Sequence, residues 1–348
     1  MADQPNENIY SLLKDDPNRI YVIAEAGLNH GGNKERALAL VRAAKWAGAD
    51  AVKFQTFRAD RLASTQPAAL GHAKDQPNLH ELFKKLELPF ETFRALHKEA
   101  KRLGIEFLST PFDEESADFL DELGVSAFKI ASGDITHRPL IEHVSRKGKP
   151  ILLSTGMSTG EEIEKAIDWV HTQSNDQVVL LHCVSSYPAK LEELNLKSVQ
   201  YLRDRFGVPV GFSDHSVGTL GSIVAASLGA QVIERHFMIE TRGETPDLAV
   251  SMDAKQLRLH IEELRTIGAV LGERGKFASE AETRNKTASR RALYARRPIA
   301  PGEVIDAGML YALRPAVGIA PEFVDTVVGK HAILPIDAGA PVQWESLQ

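Results

Sequence analysis

Short runs of apolar residues alternate with amphipathic segments along the chain as far as Gly272. The runs have the length and composition of buried strands, whereas the segments between them repeat their apolar positions with a helical period. The predicted strands cover residues 20–24, 51–54, 105–108, 127–130, 151–153, 178–181, 208–212 and 232–233. The predicted helices cover residues 33–47, 89–103, 114–123, 139–147, 160–172, 196–206, 217–228 and 254–271.

The order of these elements predicts a closed barrel of the α/β class. Several predicted helices are followed by a glycine, as at Gly48, Gly104 and Gly124, which is typical of helix C-termini. A strand followed by a helix, repeated eight times, requires parallel strands joined by right-handed crossovers. Eight such units within roughly 250 residues predict a (β/α)₈ TIM barrel. The alternative is an open doubly wound sheet.

The alternation stops near Gly272 and divides the chain into three predicted parts. We expect a barrel domain over residues 1–272, a charged linker over 273–290 and a small turn-rich domain over 291–348. A domain of about 60 residues has little room for a core, so we expect it to dock on another surface.

Two further segments have a recognisable pattern. Residues 335–342 repeat the arrangement of residues 298–305, in which a glycine turn lies between two short apolar steps. This repeat indicates a turn-rich domain rather than another strand–helix unit. Residues 58–88, after the second predicted strand, are long enough to form a flap over an active site.

The composition of the chain is that of a globular protein and gives no sign of nucleic acid binding or of a membrane span. Of the 348 residues, 43% are hydrophobic and 25% charged, as in ordinary globular proteins. The net charge of −6 comes without a basic patch, so we expect no nucleic acid partner. We predict neither a signal peptide nor a membrane span, because Met1–Tyr10 is polar and no apolar run reaches about 20 residues. With Cys183 as the single cysteine, these features predict a cytoplasmic protein.

Polar side chains end or interrupt the apolar run at the carboxyl end of every predicted strand. In a barrel these ends surround one mouth, where active sites form. The side chains in question are Glu25, Lys53, Gln55, Thr110, Lys129, Ser132, Ser154, Ser185, Tyr187, Ser213, His215, Glu234 and His236. Any single strand end is often polar, but eight polar ends around one mouth indicate a binding site.

The residue types at this mouth indicate a particular chemistry. Two lysines and several hydroxyl groups suit an anion that carries a phosphate and a carboxylate. His215 and His236 follow neighbouring strands and could share a divalent metal, or each could be a plain hydrogen-bonding group. Glu234 could orient a metal-bound water from the second shell, or it could be a core charge paired with a lysine.

Seven motifs follow one another along the chain: IAEAGLNHGG (23–32), VKFQT (52–56), LSTPF (108–112), FKIASG (128–133), LSTGM (153–157), GFSDHS (211–216) and IERHF (233–237). In type and order they resemble the motifs of the sialic acid synthase family, and the resemblance extends from residue 20 onwards. The C-terminal part resembles the small β-rich antifreeze-like (SAF) domain that ends these synthases. Arg314, within Leu313-Arg314-Pro315, matches the signature arginine of that domain.

The resemblance implies an enzyme that condenses phosphoenolpyruvate with an N-acetylated amino sugar. Water adds at carbon two of phosphoenolpyruvate and phosphate is released, which gives a sialic-acid-like nonulosonic acid. The alternatives are a related synthase that takes a sugar phosphate, a Schiff-base aldolase that uses Lys53 or Lys129, and a non-catalytic carbohydrate-binding protein. The C-terminal domain argues against the first, an idle histidine pair against the second and the intact mouth against the third.

The resemblance also implies a role for each matching residue. His215 and His236 match metal-binding histidines, usually of manganese, with magnesium or cobalt as substitutes. Glu25, Lys53, Lys129 and Arg314 are the predicted catalytic residues, and Arg314 is expected to reach the active site of a partner subunit in a domain-swapped homodimer. The predicted substrate-binding residues are Gln55, Thr110, Ser132, Ser154, Ser185, Tyr187, Ser213 and Asp247.

The chain departs from the N-acetylneuraminate-type pattern at two places. Ser185-Ser186-Tyr187 stands where those synthases tend to carry Asn-Ile-Tyr, and Thr245-Pro246 stands where they carry Gly-Pro before the aspartate. The Ser-Ser-Tyr-Pro string (185–188) and the stretch 314–319 are similar to the pseudaminic and legionaminic acid synthases. The two departures leave the reaction class unchanged and bear on the identity of the acceptor sugar.

Overall fold

The computed structural model describes residues 8–66, 78–240 and 245–348. The chain forms two compact units, Met1–Gly272 and Glu273–Gln348. The first unit contains parallel strands and most of the helices, and the second contains a short antiparallel pair.

Eight parallel strands form the wall of the first unit, and a ninth short strand pairs with the last of them. They are β1 (Tyr21–Gly27), β2 (Ala51–Thr56), β3 (Glu106–Pro111), β4 (Phe128–Ile130), β5 (Ile151–Ser154), β6 (Val178–Cys183), β7 (Val210–Asp214), β8 (Val232–Met238) and β9 (Met252–Asp253). Their order is β3-β2-β1-β8-β7-β6-β5-β4. β3 and β4 lie side by side without a backbone ladder among the described residues. The predicted TIM barrel is confirmed as a nearly closed one.

Helices surround this barrel and join its strands. They are α1 (Ile9–Asp15), α2 (Lys34–Ala47), α3 (Ala59–Leu62), α4 (Leu79–Leu86), α5 (Phe90–Leu103), α6 (Glu114–Leu123), α7 (Arg138–Ser145), α8 (Gly160–His171), α9 (Lys197–Phe206), α10 (Leu220–Ser227) and α11 (Ala254–Leu271). The longer ones bury a single apolar stripe, as α5 does with Phe93, Leu96 and Ala100. Of the helices described, none is long and apolar enough to cross a membrane.

Several strands extend further than their apolar runs predict. β1 continues through Glu25 to Gly27, and β8 continues through Glu234 and His236 to Met238. The predicted carboxyl ends of these strands were too early, because the prediction ends each strand at its first polar residue. Inside a barrel, polar side chains at the carboxyl ends of the strands face a cavity, so the backbone ladder can continue beneath them.

The short helix α1 was missed by the apolar periodicity. Asn8 caps its first turn by accepting a hydrogen bond from the backbone N–H of Ser11. Its Ile9 and Leu13 are buried with residues from the amino-terminal halves of six barrel strands, including Ile23 of β1. α1 therefore closes the end of the barrel opposite the polar strand ends. Seven residues are too few for a clear helical period in the sequence.

The predicted flap contains α3 and α4 in its described part, and its central residues 67–77 lie outside the described residues. Leu86 of α4 packs with Leu28 and Phe57, which follow β1 and β2. Gly32 in the loop after β1 has a φ of +72°, and a Cβ there would lie 2.4 Å from the carbonyl oxygen of Lys85. A glycine is therefore required where this loop meets the end of α4.

The second unit has its own small core. It contains α12 (Glu280–Ser289), β10 (Ala292–Ala295), β11 (Leu310–Leu313) and α13 (Val324–Val327). The two repeats seen in the sequence pair with each other, because the backbone N–H groups of Ile299 and Ile336 each donate to the other residue's carbonyl, at 2.9 and 3.0 Å. Part of the predicted linker is helical: Ser279 and Glu282 form a capping box that starts α12.

Removing the side chain of Leu13 tests the role of α1. Leu13 is 1% exposed, so Leu13→Ala should lower the free energy of unfolding by about 2–5 kcal/mol. The matched control is Leu259→Ala on α11, where the leucine is 62% exposed and the expected change is within about 0.5 kcal/mol. Urea unfolding followed by circular dichroism measures both. Equal effects of the two substitutions would contradict a packed α1.

Candidate active site

A cavity of about 360 Å³ opens at the carboxyl ends of the barrel strands. Most residues predicted for the site line it: Glu25, Lys53, Gln55, Thr110, Lys129, Ser132, Ser154, Ser185, Tyr187, Ser213, His215 and His236. Glu234 and the strand-end residue Cys183 also line it, together with Phe112 and Met157, which the strand-end pattern did not include. Asp247 and Arg314 are not part of this lining.

Four charged side chains form a buried row in the cavity wall. Lys53 Nζ lies 2.7 Å from Glu25 Oε2 and 3.6 Å from Glu234 Oε2, and Lys129 Nζ lies 3.7 Å from Glu234 Oε1. All four side chains are at most 5% exposed. Ser213 Oγ donates to Glu234 Oε1 at 2.9 Å, which fixes the central carboxylate. Of the two alternatives for Glu234, the structure supports the charge paired with a lysine, because Glu234 lies between Lys53 and Lys129. The sequence did indicate that Glu234 faces the cavity, because it lies two residues before His236 and therefore on the same face of the strand.

The charge states of the row follow from burial and pairing. Burial alone would raise the pKa of Glu234, but the ammonium groups of Lys129 and Lys53 lower it to about 2. Burial raises the pKa of Glu25 to about 7, despite the opposing effect of Lys53. Burial also lowers the pKa of Lys129. When Glu25 is protonated and both lysines are charged, the row carries one net positive charge, which favours an anionic ligand.

Hydroxyl groups and a close backbone approach line the cavity beside Lys129. Ser132 Oγ accepts a hydrogen bond from the backbone N–H of Gly156 at 2.9 Å. A Cβ at Gly156 would lie 2.3 Å from Ser185 Oγ, so only glycine allows these groups to come together. Ser154 Oγ is buried and has no protein partner within the described part of the chain. A buried hydroxyl of this kind is available to bind a ligand.

The two predicted metal-binding histidines lie close together. His215 follows β7 and His236 lies in β8, and their ring centroids are 5.4 Å apart. His215 Nδ1 lies 2.9 Å from the carbonyl oxygen of Val184, so this nitrogen is the donor and Nε2 is left as the acceptor. The ring of Tyr187 stacks on His215 with a centroid distance of 4.1 Å. Burial lowers the pKa of His236, which keeps its imidazole neutral.

This pair fits an open metal site. His236 Nδ1 is buried without a hydrogen-bond partner among the described residues, and neutral imidazoles are common ligands for divalent metals. The part of the chain that the structure describes contains no group of three or more histidine, cysteine, aspartate or glutamate side chains suited to hold an ion. Water or substrate oxygens would therefore have to complete the coordination shell.

Asp247 lies behind His236. Its Oδ2 atom accepts a hydrogen bond from the backbone N–H of Leu28 at 2.8 Å and lies 3.6 Å from His236 Nδ1. A Cβ at Gly27 would lie 2.4 Å from the same oxygen, so glycine at this position permits the approach. Thr245 secures the segment that carries Asp247 by donating to Asn29 Oδ1 at 2.6 Å. The carboxylate is therefore held close to the His236 ring without a hydrogen bond to it.

Arg314 lies at the end of the second unit's antiparallel pair, directly after β11. Its side chain is exposed. Among the described residues that line the cavity there is no arginine, and the cations of the wall are the two lysines. The structure of one chain brings twelve of the fourteen predicted residues together in this wall.

The raised pKa of Glu25 predicts a pH-dependent stability. A carboxyl group whose pKa rises from 4.5 to about 7 on folding makes the folded state bind more protons in that range, so stability falls as pH rises through it. Glu25→Gln should remove this fall, so the variant should gain stability relative to wild type by up to about 1.4 kcal/mol per pH unit between pH 5 and 7.

Urea unfolding at several pH values measures this difference. The control is Glu164→Gln, which removes one exposed carboxylate from α8. A difference between wild type and Glu25→Gln that does not vary with pH would contradict the assignment.

Comparisons with known proteins agree with this architecture. The chain matches the NeuB family over residues 40–276 and the SAF domain over residues 290–348. N,N′-diacetyllegionaminic acid synthase of Legionella pneumophila is 41% identical over 336 residues, which cover 94% of each chain. Pseudaminic acid synthase of Campylobacter jejuni is 34% identical over 325 residues, which cover 92% of this chain and 94% of the relative.

The chain is also similar in structure to a solved protein of this kind. The crystal structure of N-acetylneuraminic acid (sialic acid) synthetase from Leptospira borgpetersenii in complex with citrate superposes with a TM-score of 0.69 at 33% identity. The match covers 77% of this chain and 90% of that chain. The resemblance found in the seven motifs is confirmed: the chain belongs to the NeuB family and ends in a SAF domain.

Proposed function

We propose that this chain is a nonulosonic acid synthase. It condenses phosphoenolpyruvate with an N-acetylated amino sugar, adds water at carbon two of phosphoenolpyruvate and releases phosphate. The observation that carries the proposal is the buried row of Glu25, Lys53, Glu234 and Lys129 at the carboxyl end of a barrel. Two relatives that match over 94% of their length, synthases of legionaminic and pseudaminic acid, support it.

The buried lysines suit a small, strongly anionic substrate. Two ammonium groups at 3% and 5% side-chain exposure are costly unless they are paired. Glu234 faces both lysines, and Glu25 compensates Lys53 only in its ionised form, so a protonated Glu25 leaves the lysines incompletely compensated. The unpartnered hydroxyl of Ser154 and the nearby Ser132 can donate hydrogen bonds to phosphate or carboxylate oxygens. Phosphoenolpyruvate supplies both groups on a three-carbon frame.

The reaction proceeds by steps in which these residues hold charge and move protons. A bond forms between carbon three of phosphoenolpyruvate and the aldehyde carbon of the open-chain sugar, and the aldehyde oxygen takes up a proton. Water adds at carbon two and loses a proton, and phosphate leaves by cleavage of the carbon–oxygen bond, which gives the 2-keto acid. Lys53 and Lys129 stabilise the anionic groups where water is scarce. Glu25, with its pKa of about 7, holds or releases the exchanged proton.

A divalent metal, with Mn²⁺ as the first choice and Mg²⁺ or Co²⁺ as alternatives, belongs to this proposal. His215 and His236 are the residues that would hold it. When bound, it would supply Lewis acidity to the aldehyde oxygen of the sugar. The Val184 carbonyl fixes the His215 imidazole, and the Asp247 carboxylate lies 3.6 Å from His236 Nδ1.

We further propose a 2,4-diacetamido sugar as the acceptor. Of the residues at these departures, Ser185 lines the cavity, and Thr245 lies in the segment that carries Asp247. Identity to the legionaminic relative is 41%, against 34% to the pseudaminic relative, which favours a sugar of the legionaminic series.

The last part of the proposal concerns how two chains assemble. The cavity lining within the described residues includes no arginine, while Arg314 is exposed on the second unit. We propose a C₂ homodimer in which the partner subunit's Arg314 completes each active site and binds the N-acetyl end of the sugar.

A panel of acceptors tests the reaction and the sugar together. Phosphate release from phosphoenolpyruvate should require an N-acetylated hexosamine, and a 2,4-diacetamido-2,4,6-trideoxyhexose should give a kcat/KM at least about tenfold above that of N-acetylmannosamine, because one well-placed group contributes about 1–3 kcal/mol. Borohydride with pyruvate should trap no adduct on Lys53 or Lys129. Trapping, or phosphate release without any sugar, would contradict the proposed reaction.

Metal removal tests the histidine pair. Chelation should abolish turnover and Mn²⁺ should restore it, while His215→Ala and His236→Ala should each lose roughly 100-fold or more in kcat, the scale of a Lewis acid that contributes several kcal/mol. The control is His171→Ala at the exposed end of α8, which should keep the wild-type rate. Full activity after rigorous chelation would remove the metal from the proposal.

Mixing two inactive variants tests the shared site. Arg314→Ala and His236→Ala should each be nearly inactive alone. After subunit exchange, about half the dimers are mixed and each contains one complete site, so roughly a quarter of all sites should work. If Arg314 served its own barrel, every site would still lack one group and mixing would restore nothing. Native mass spectrometry of the mixture checks that exchange occurred.

A further inference from the structure

The residues directly before the two cavity histidines form a buried ion pair on the outer side of the barrel wall. Asp214 is the last residue of β7, and Arg235 pairs with it across the parallel ladder in β8. Arg235 Nη1 lies 2.8 Å from Asp214 Oδ2, and the two side chains are 1% and 0% exposed. Because side chains alternate along a strand, Arg235 points away from the cavity that Glu234 and His236 face.

Arg235 holds the backbone of the loop that begins with His215. Its Nη1 donates to the carbonyl oxygen of Asp214 at 3.2 Å, and its Nη2 donates to the carbonyl oxygens of Ser216 at 2.5 Å and Gly218 at 2.8 Å. The first of these carbonyls ends β7, and the other two belong to the turn between β7 and α10. The fork of the guanidinium group matches this set of acceptors, which a lysine could not satisfy.

Asp214 fixes the same turn from the other side. Its Oδ1 accepts hydrogen bonds from the backbone N–H and the hydroxyl of Ser216, at 2.8 and 2.7 Å. Its Oδ2 accepts from the hydroxyl of Ser222 at 2.6 Å, in the first turn of α10. The turn is thus held by side chains where no regular ladder continues.

His215 lies in the middle of this held segment. Its own backbone carbonyl accepts from the N–H of Ala189 at 3.0 Å, so the main chain is fixed on both sides of the residue. The peptide bond that follows Arg235 leads directly to His236. The ion pair therefore connects the backbones that carry the two imidazoles.

We infer that Arg235 and Asp214 are positioning residues that set the orientation of His215 relative to His236. This inference rests on the proposed function, in which the two imidazoles hold a divalent metal. A pair that served stability alone would alter unfolding without altering what the folded protein binds.

Arg235→Lys tests the inference, because lysine keeps the charge and loses the fork. The Mn²⁺ dissociation constant of the purified full chain, measured by electron paramagnetic resonance of free Mn²⁺, should rise about 10- to 100-fold, the range for loss of an outer-shell partner. The matched control is Arg205→Lys, which alters the exposed ion pair with Glu164 and should leave the dissociation constant unchanged.

Ser222→Ala is a second variant that keeps both charges of the pair. It removes only the hydrogen bond to Asp214 Oδ2, so it should fold normally and weaken Mn²⁺ binding by less than Arg235→Lys does. If both variants lose thermal stability while their Mn²⁺ affinity stays at the wild-type value, the pair is structural only and the inference is wrong.

A crystal structure of Ser222→Ala and, where it folds, of Arg235→Lys separates this inference from the proposed metal. If wild-type protein binds no Mn²⁺, the metal proposal fails by itself, and the structures still report the position of the His215 ring. A shift of that ring by about 1 Å or more supports positioning, since displacements of this size alter function. An unmoved ring in both variants overturns it.

Discussion

Mutual compensation of buried charge is the constraint on which this barrel depends. Lys53 and Lys129 enter the wall from β2 and β4, and neither could remain charged there without a carboxylate nearby. Glu234 of β8 faces both lysines, and Glu25 of β1 pairs with the first. The row needs β1, β2, β4 and β8 around one interior, so the closed arrangement of the strands and the chemistry of the site depend on each other.

Side chains alternate along β8, so this one strand contributes residues both to the cavity and to the helical layer. Glu234 and His236 face the cavity, while Arg235 faces the helical layer and bonds to the turn after β7. A register shift of one residue would exchange these faces and place a guanidinium group inside the barrel. The fully satisfied Asp214 carboxylate and the charge row therefore specify the same register from opposite sides of the sheet.

The two units contribute differently to the proposed synthase. The barrel unit carries the lysines, hydroxyls and histidines, whereas the second unit is held by its own apolar core and presents Arg314 to solvent. Such a division allows the barrel to bind the small anion and a separate surface to select the sugar. Under the proposed assembly, catalysis would require two chains, which links activity to protein concentration.

The sequence by itself determined the barrel, the second unit and most of the site, because apolar periodicity is local and polar strand ends in a barrel all lead to one mouth. It did not reveal α1, which is buried against distant strands, and it left open whether Glu234 pairs with a lysine. Only the tertiary structure decided which lysine faces which carboxylate, that Asp247 lies behind His236 and that Arg235 holds the His215 turn. The reason is physical: pairing, burial and hydrogen-bond geometry arise between residues far apart in sequence. The separation of two residues along the chain does not give the distance between them across the barrel.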